Sequence, residues 1–315
     1  PALQHRETST PPRNWEACLV SLVALYGLWG EWRRVATGCG GSYRYNTQRL
    51  QCLQRLLDVE CANAELPDVL CYVDALNDAI GGHEIVGVSV RSPFVVRTPE
   101  PLDQVFGKTV GPFGRLGKRI VWSLEDDVHL VVHLMVTGRF HWKGVGTKPI
   151  RKTDLLAFHF KHGTLLMTEA GAKKRASLHI VHGETALAPF DLHGLESLDC
   201  TEEDFRVRLA SENHTLKRVL TDPRMLSGIG NAYSDEILHA ARLSPFRTTS
   251  HLNEEEWARL YRSVQTVLAT WIDQLAFRGA FPRRVYGESC RDCESKVQRI
   301  AYVDGEMNAS WMARY

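Results

Sequence analysis

"HTLKRVLTDPRMLSGIGNAYSDEILHAARLSP", residues 214–245, sets two glycines and an asparagine directly ahead of a helical run. Gly228 and Gly230 permit φ > 0 and let backbone N–H groups come close to an anion, while Asn231 adds a side-chain amide at the start of the next helix. Two readings fit this corner. One is a phosphate cradle; the other is a tight interhelical turn with Asn231 as its N-cap.

On both sides of the corner the period is helical. "TEEDFRVRLASEN" (201–213) opens with Thr201 and Asp204 in capping-box spacing, and "NEEEWARLYRSVQTVLATWIDQL" (253–275) starts at Asn253 with acids in its first turn. Trp257, Leu260, Tyr261, Val264, Val267, Leu268, Trp271 and Leu275 recur at threes and fours, which predicts one long amphipathic helix. Before residue 191 the pattern is different. A helix opens the region at "ELPDVLCYVDALNDAIGG" (65–82), with Val69, Val73, Leu76 and Ile80 on one face and Gly81–Gly82 as its stop. Strand-like runs follow: "EIVGVSV", "RIVWSL" paired across Asp126–Asp127 with "VHLVVHL", "GRFHW", "DLLAFHF" paired across "KHG" with "TLLMTE", and "ASLHIVHG". Short strands with turn signals between them imply an antiparallel β-sandwich. The fold class is α+β: an N-terminal helix with a β-sandwich domain over 64–190, then a helical domain over 191–280 entered through a linker near "DLHGLESLDC" (191–200).

Composition sets the outer bounds. The 315 residues are 44% hydrophobic and 24% charged, enough for two globular domains. A net charge of +1 announces no polyanion partner by itself, so any basic surface must be local. Eight scattered cysteines, of which only "CRDC" (290–293) has ligand-like spacing, read as reduced thiols rather than a disulfide framework. Residues 1–63 form an N-terminal extension, expected to be poorly ordered, that carries no recognisable chemistry. Its apolar run "ACLVSLVALYGLWG" (17–30) is shorter than the ~20 residues a membrane span needs. A secretory or organellar leader is the less favoured reading of it.

The corner and its flanks closely resemble the helix–two-turn–helix signature of the formamidopyrimidine-DNA glycosylase and endonuclease VIII family of base-excision repair enzymes. The resemblance extends through "ELPDVLCYVDAL", "SPFVVRT", "RLGKRIVWSL" and "HLMVTGRFHW", covering about residues 64–299. It implies a glycosylase with abasic-site lyase activity on oxidised bases or abasic sites. In that chemistry an N-terminal proline amine attacks C1′ to form a Schiff base, a glutamate donates a proton, and elimination cuts the strand. The damaged base is flipped out of the duplex and side chains fill the gap. Carried over by position, the nucleophile site is Ala64, the proton donor Glu65, and the hairpin lysine that contacts phosphate Lys118. Lys217, Gly228, Gly230 and Asn231 would hold the DNA backbone, and Val136 would be the first gap-filling residue. Lys173 and Lys174 of "AKKRAS" (172–177) are a further possible DNA contact, or equally a solvated face. The implied partner is damaged double-stranded DNA, met by a monomer with no membrane, in the cytoplasm or nucleoid or in a eukaryotic nucleus. The chemistry implies no required cofactor.

Three positions depart from the family pattern. Ala64 replaces the proline and is internal, so its nitrogen is an amide; cleavage after Asn63 would free an α-amine, or a desolvated Lys118 could supply one. The C-terminal segment, 281–315, resembles a truncated zinc-finger hairpin, a degenerate zinc-ribbon remnant. Cys290 and Cys293 are present, Met312 and Tyr315 stand where the other two cysteines would fall, and Arg299 is a weak counterpart of the hairpin arginine. Two thiolates are half of a structural zinc site, so zinc binding is not expected although the family carries it. The arginine–phenylalanine–glycine wedge is replaced by "EAGAKKRASLHIVHG" (169–183). Two alternatives therefore stay open: a catalytically inactive damaged-DNA-binding protein, and a degenerate gene product.

Overall fold

The computed structural model describes residues 64–278 and two short strands, Val297–Ile300 and Ser310–Ala313, with side chains placed up to residue 275. The expectations for residues 1–63 and for Cys290 and Cys293 lie outside the described residues.

The opening helix, α1 (Leu66–Ile80), forms where the sequence places it, with Pro67 in the first turn and Asp68 as the acid there. Val69, Tyr72, Leu76 and Ile80 are buried along one face, and Gly82 takes φ +76 just beyond the end. Eight strands follow: β1 (Gly87–Val90), β2 (Val110–Leu116), β3 (Arg119–Leu124), β4 (Val128–His133), β5 (Gly138–Lys143), β6 (Asp154–Phe160), β7 (Gly163–Glu169) and β8 (Ser177–His182). They make two four-stranded sheets, ordered β1-β6-β7-β5 and β2-β3-β4-β8, with every pairing antiparallel. Alternation places Ile120, Trp122 and Leu124 of β3 and Leu130 and Val132 of β4 inward. There they share one core with Phe140, Phe158 and Met167 of the other sheet. Trp122 spans the interface, its ring 4.7 Å from Phe158 and 5.9 Å from Phe140.

β2 was not legible as a strand, because "VGPFGRL" holds two glycines and a proline. Its partner is β3, joined through the two-residue turn Gly117–Lys118 with Gly117 at φ +58. Lys118 thus sits at a hairpin tip.

The helical part has its own core. It comprises α2 (Glu202–Ala210), α3 (Leu216–Thr221), α4 (Asn231–Ala241) and α5 (Glu254–Arg278). Phe205, Leu216, Leu220, Tyr233, Ile237, Trp257, Leu260 and Val264 pack together there. Both expected caps form: Thr201 Oγ1 accepts from Asp204 N–H at 3.1 Å, and Asn253 Oδ1 accepts from Glu256 N–H at 2.9 Å. The junction is more tightly stitched than a linker. Two short strands, β9 (Leu195–Glu196) and β10 (Leu226–Ser227), pair in parallel, and Arg115 at the end of β2 forms an ion pair with Glu196. Leu66 belongs to the helical core while Val69 and Leu76 belong to the sandwich core, so the start of α1 lies between the two. The C-terminal strands β11 (Val297–Ile300) and β12 (Ser310–Ala313) pair antiparallel, with Arg299 opposite Trp311.

Candidate active site

Glu65 precedes α1 at the junction of the two cores, and its carboxylate crosses to the first turn of α4. Oε2 accepts from Gly230 N–H (2.9 Å) and Tyr233 N–H (3.1 Å), and Oε1 accepts from Ala232 N–H (3.0 Å). A helix N-terminus presents orphan N–H groups and a positive dipole end, so an anion there is stabilised. The glycine-rich corner therefore seats an anion, and that anion is the chain's own Glu65. The side-chain amide of Asn231 lies on the cavity wall beside it.

Each glycine of the corner has a separate steric reason. Gly228 takes φ +83, its carbonyl accepts from Leu66 N–H at 2.9 Å, and a Cβ there would lie 2.8 Å from the Leu66 Cβ. Gly230 is extended, at φ −132, but a Cβ there would stand 2.5 Å from Lys118 Nζ and 2.6 Å from Glu65 Cδ. The hairpin-tip ammonium and the Glu65 carboxylate thus face each other across a position where only hydrogen fits. Burial pulls the Lys118 amine below its ordinary value, and the charge of Glu65 partly opposes that shift.

A cavity of about 440 Å³ opens beside this pair, lined among others by Ala64, Lys118, Arg119, His133, Val136 and Asn231. Ala64 is buried, and its backbone N–H donates to Met135 O at 3.4 Å. His133 is pushed down to about 4, by burial first and then by Arg119, Lys118 and His179, so its imidazole is neutral at pH 7. Arg119 donates to Phe190 O at 3.2 Å and lies 5.9 Å from the Phe190 ring centre. The wall thus carries two cations, Lys118 and Arg119, and two acids, Glu65 and Asp191, of which Glu65 is fixed by the amides at the start of α4.

Comparison with known proteins meets this geometry at the same residues. The family model of the formamidopyrimidine-DNA glycosylase N-terminal domain matches residues 64–171, and that of the formamidopyrimidine-DNA glycosylase H2TH domain matches 194–277. A formamidopyrimidine-DNA glycosylase of Heliobacterium modesticaldum is 32% identical over 263 residues, covering 75% of this chain and 94% of that protein. One from Pelotomaculum thermopropionicum is 31% identical over 216 residues, covering 66% and 78%. The chain belongs to the formamidopyrimidine-DNA glycosylase family. Among solved structures, the Lactococcus lactis enzyme non-covalently bound to DNA containing an AP site superposes with a TM-score of 0.70 at 26% identity, over 79% of this chain and 97% of that one. The same enzyme with DNA containing FAPY-dG gives 0.70 at 25%, over 79% and 98%.

Within this family fold, the structure gathers Ala64, Glu65, Lys118, Val136, Gly228 and Asn231 around one cavity. Val136 is exposed at 52% on the β4–β5 turn, where Met135 takes φ +57. Lys217 is 5% exposed, and its Nζ donates to Asn231 O (2.8 Å) and to Asp235 Oδ1 (2.5 Å) beneath the first turn of α4. Burial pulls its amine down, against the opposing charges of Asp235 and Glu65. Lys173 is exposed, while the Lys174 ammonium donates to Glu169 O, which folds it back on its own loop. His133, Arg119 and the Phe190–Gly194 loop were missed. The alternation of β4 marks His133 as facing away from the core, which was the one signal available.

Proposed function

We propose that the protein is a DNA repair glycosylase with abasic-site lyase activity, acting on oxidised bases or abasic sites in double-stranded DNA. The observation that carries this reading is the Glu65 carboxylate, held by the amides of Gly230, Ala232 and Tyr233 at the start of α4, at the edge of a cavity that Lys118 and Arg119 also line. About 440 Å³ suits a flipped-out nucleoside, since small-molecule sites run from roughly 300 to 1,000 Å³. Glu65 is fixed for proton transfer to the departing base, and Lys118, Arg119 and Asn231 offer cationic or amide donors to the phosphates on either side. An amine displaces the base at C1′ as the base takes up the proton, and opening of the sugar ring, whose O4′ is released as a hydroxyl, gives an imine; at an abasic site the amine adds to the C1′ aldehyde and water leaves to give the same imine. Loss of a C2′ proton expels the 3′ phosphate as the strand is cut.

Two amines on this chain could serve. Cleavage between Asn63 and Ala64 would release a primary α-amine at the cavity wall, with a pKa near ~7.7–8.0 in free solution. The desolvated Lys118 is the other. None of these steps calls for a cofactor or metal. Among the described residues no group of three or more His, Cys, Asp or Glu side chains is placed to hold a metal ion, and Cys290 with Cys293 supply only half of a zinc ligand set. We read the β11–β12 hairpin as a zinc-ribbon remnant and the protein as a monomer that works beside DNA in the cytoplasm or nucleoid. No helix among the described residues is long and apolar enough to cross a membrane.

Borohydride trapping on a duplex with one abasic site tests the reading, comparing the chain from Pro1 with one beginning at Ala64, followed by peptide mapping. The expected result is a covalent adduct on the Ala64 α-amine of the shorter chain. An adduct mapped to Lys118 would assign the amine to the hairpin. Absence of an adduct from both chains, with binding intact, would overturn the lyase activity.

A further inference from the structure

Lys217 and Asp235 form an ion pair in a place where stability does not require one. Their side chains are 6% and 8% exposed, in a core otherwise built from Leu216, Leu220, Tyr233 and Ile237. Burying two charges costs several kcal/mol per ion, and apolar side chains of similar volume often do as well or better. The position of the pair supplies another reason for it. Lys217 Nζ reaches from α3 to Asn231 O, the first carbonyl of α4, while Asp235 lies one turn further along the same helix. The backbone of Lys217 is fixed as well, its N–H donating to Pro245 O at 3.2 Å. The ammonium therefore clamps the turn whose Gly230, Ala232 and Tyr233 amides hold Glu65.

We propose that Lys217 is a positioning residue for Glu65: with Asp235 it fixes the first turn of α4, so that the three amides present one rigid seat to the carboxylate. It touches no DNA. This role differs from a phosphate contact, and it rests on the glycosylase reading only for its catalytic consequence. A shift of about 1 Å in a proton-transfer group can lower a rate on the order of a hundredfold without loosening substrate binding. Relaxing the seat should therefore act on turnover and leave affinity alone.

The test uses the double variant K217M/D235N, which leaves no unpaired buried charge, in the full chain. The first readout is hydrogen exchange of the peptide spanning 228–238, with the peptide spanning 154–169 as internal control. Loss of protection in the first alone is expected, and unchanged protection overturns the brace whether or not the parent protein is an active glycosylase. The second readout is single-turnover base release together with the salt dependence of binding to abasic-site DNA. We expect the rate to fall at least about tenfold, with the dissociation constant and the slope of log K against log salt unchanged. A slope reduced by about one, as for a lost phosphate contact, would overturn the proposal. So would an unchanged rate beside lost protection. If the parent itself releases no base, the glycosylase reading fails, and hydrogen exchange still decides the brace.

Discussion

Replacing Gly230 with alanine adds one methyl group at the point where the candidate site is tightest. At φ −132 the backbone accepts alanine without strain, and the amide that donates to Glu65 is retained. The whole effect is therefore steric. The new Cβ would stand 2.5 Å from Lys118 Nζ, 2.6 Å from Glu65 Cδ and 2.7 Å from Glu65 Oε1, all well inside contact distance. Both neighbours are buried side-chain ends, and Glu65 can retreat only by loosening the bonds it accepts from three amides. Overpacking of this kind costs about 1–3 kcal/mol, with a fall of about 2–4 °C in Tm for each kcal/mol. Displacing the proton-transfer group and the adjacent amine by roughly 1 Å should slow strand cutting on the order of a hundredfold. Gly228→Ala is the matched control. Its φ of +83 adds strain of about 1–3 kcal/mol to a 2.8 Å clash with the Leu66 Cβ, so its melting temperature should fall further. Thermal melting and single-turnover nicking of an abasic-site duplex read both quantities. G230A cutting at the parent rate, or melting as low as G228A, would refute the reasoning.

Two further outcomes follow from other parts of the cavity. His133 titrates near 4 in the folded protein against about 6.5 unfolded, so between those values the unfolded chain binds more protons. Its contribution is full above pH 6.5 and is lost as pH falls towards 4, amounting to about 3 kcal/mol across that window; H133Q should flatten the pH dependence of Tm there, and an unchanged curve would remove the buried neutral imidazole from the account. Val136, exposed beside the cavity, should tolerate V136S within about 0.5 kcal/mol of stability. If its side chain enters the gap left by a flipped base, V136S should weaken binding to a lesion duplex by up to about tenfold in fluorescence anisotropy; equal affinity would take Val136 out of that role.

The sandwich and the long helix could be read from the sequence because their signals are local. Alternation in "RIVWSL" and "VHLVVHL" and the three–four spacing from Trp257 to Leu275 each fall within one element. β2 was missed for the converse reason: Gly111, Pro112 and Gly114 suppress strand propensity, and the strand is held by its partner β3. The site divides along the same line. The glycine pattern marked the corner as either an anion cradle or a tight turn, both properties of a few adjacent residues. Which anion occupies it depends on Glu65, 165 positions away from Gly230, and no local pattern carries that pairing.

Lys217 makes the point more sharply, because a lysine beside a glycine corner in a DNA-repair family invites a phosphate. Whether such a lysine faces solvent or the interior is a tertiary property. On α3 its neighbours Leu216, Val219 and Leu220 are all buried, which turns nearly every side of this six-residue helix inward. An ammonium carried inward must find compensating groups or lose its proton. Asp235 and Asn231 O supply that compensation at the one place where α3 meets the start of α4. The charges at this corner are consequently arranged in series: Asp235 holds Lys217, Lys217 holds the first turn of α4, and that turn holds Glu65. A substitution at any link should reach the cavity through Glu65 rather than through the DNA backbone.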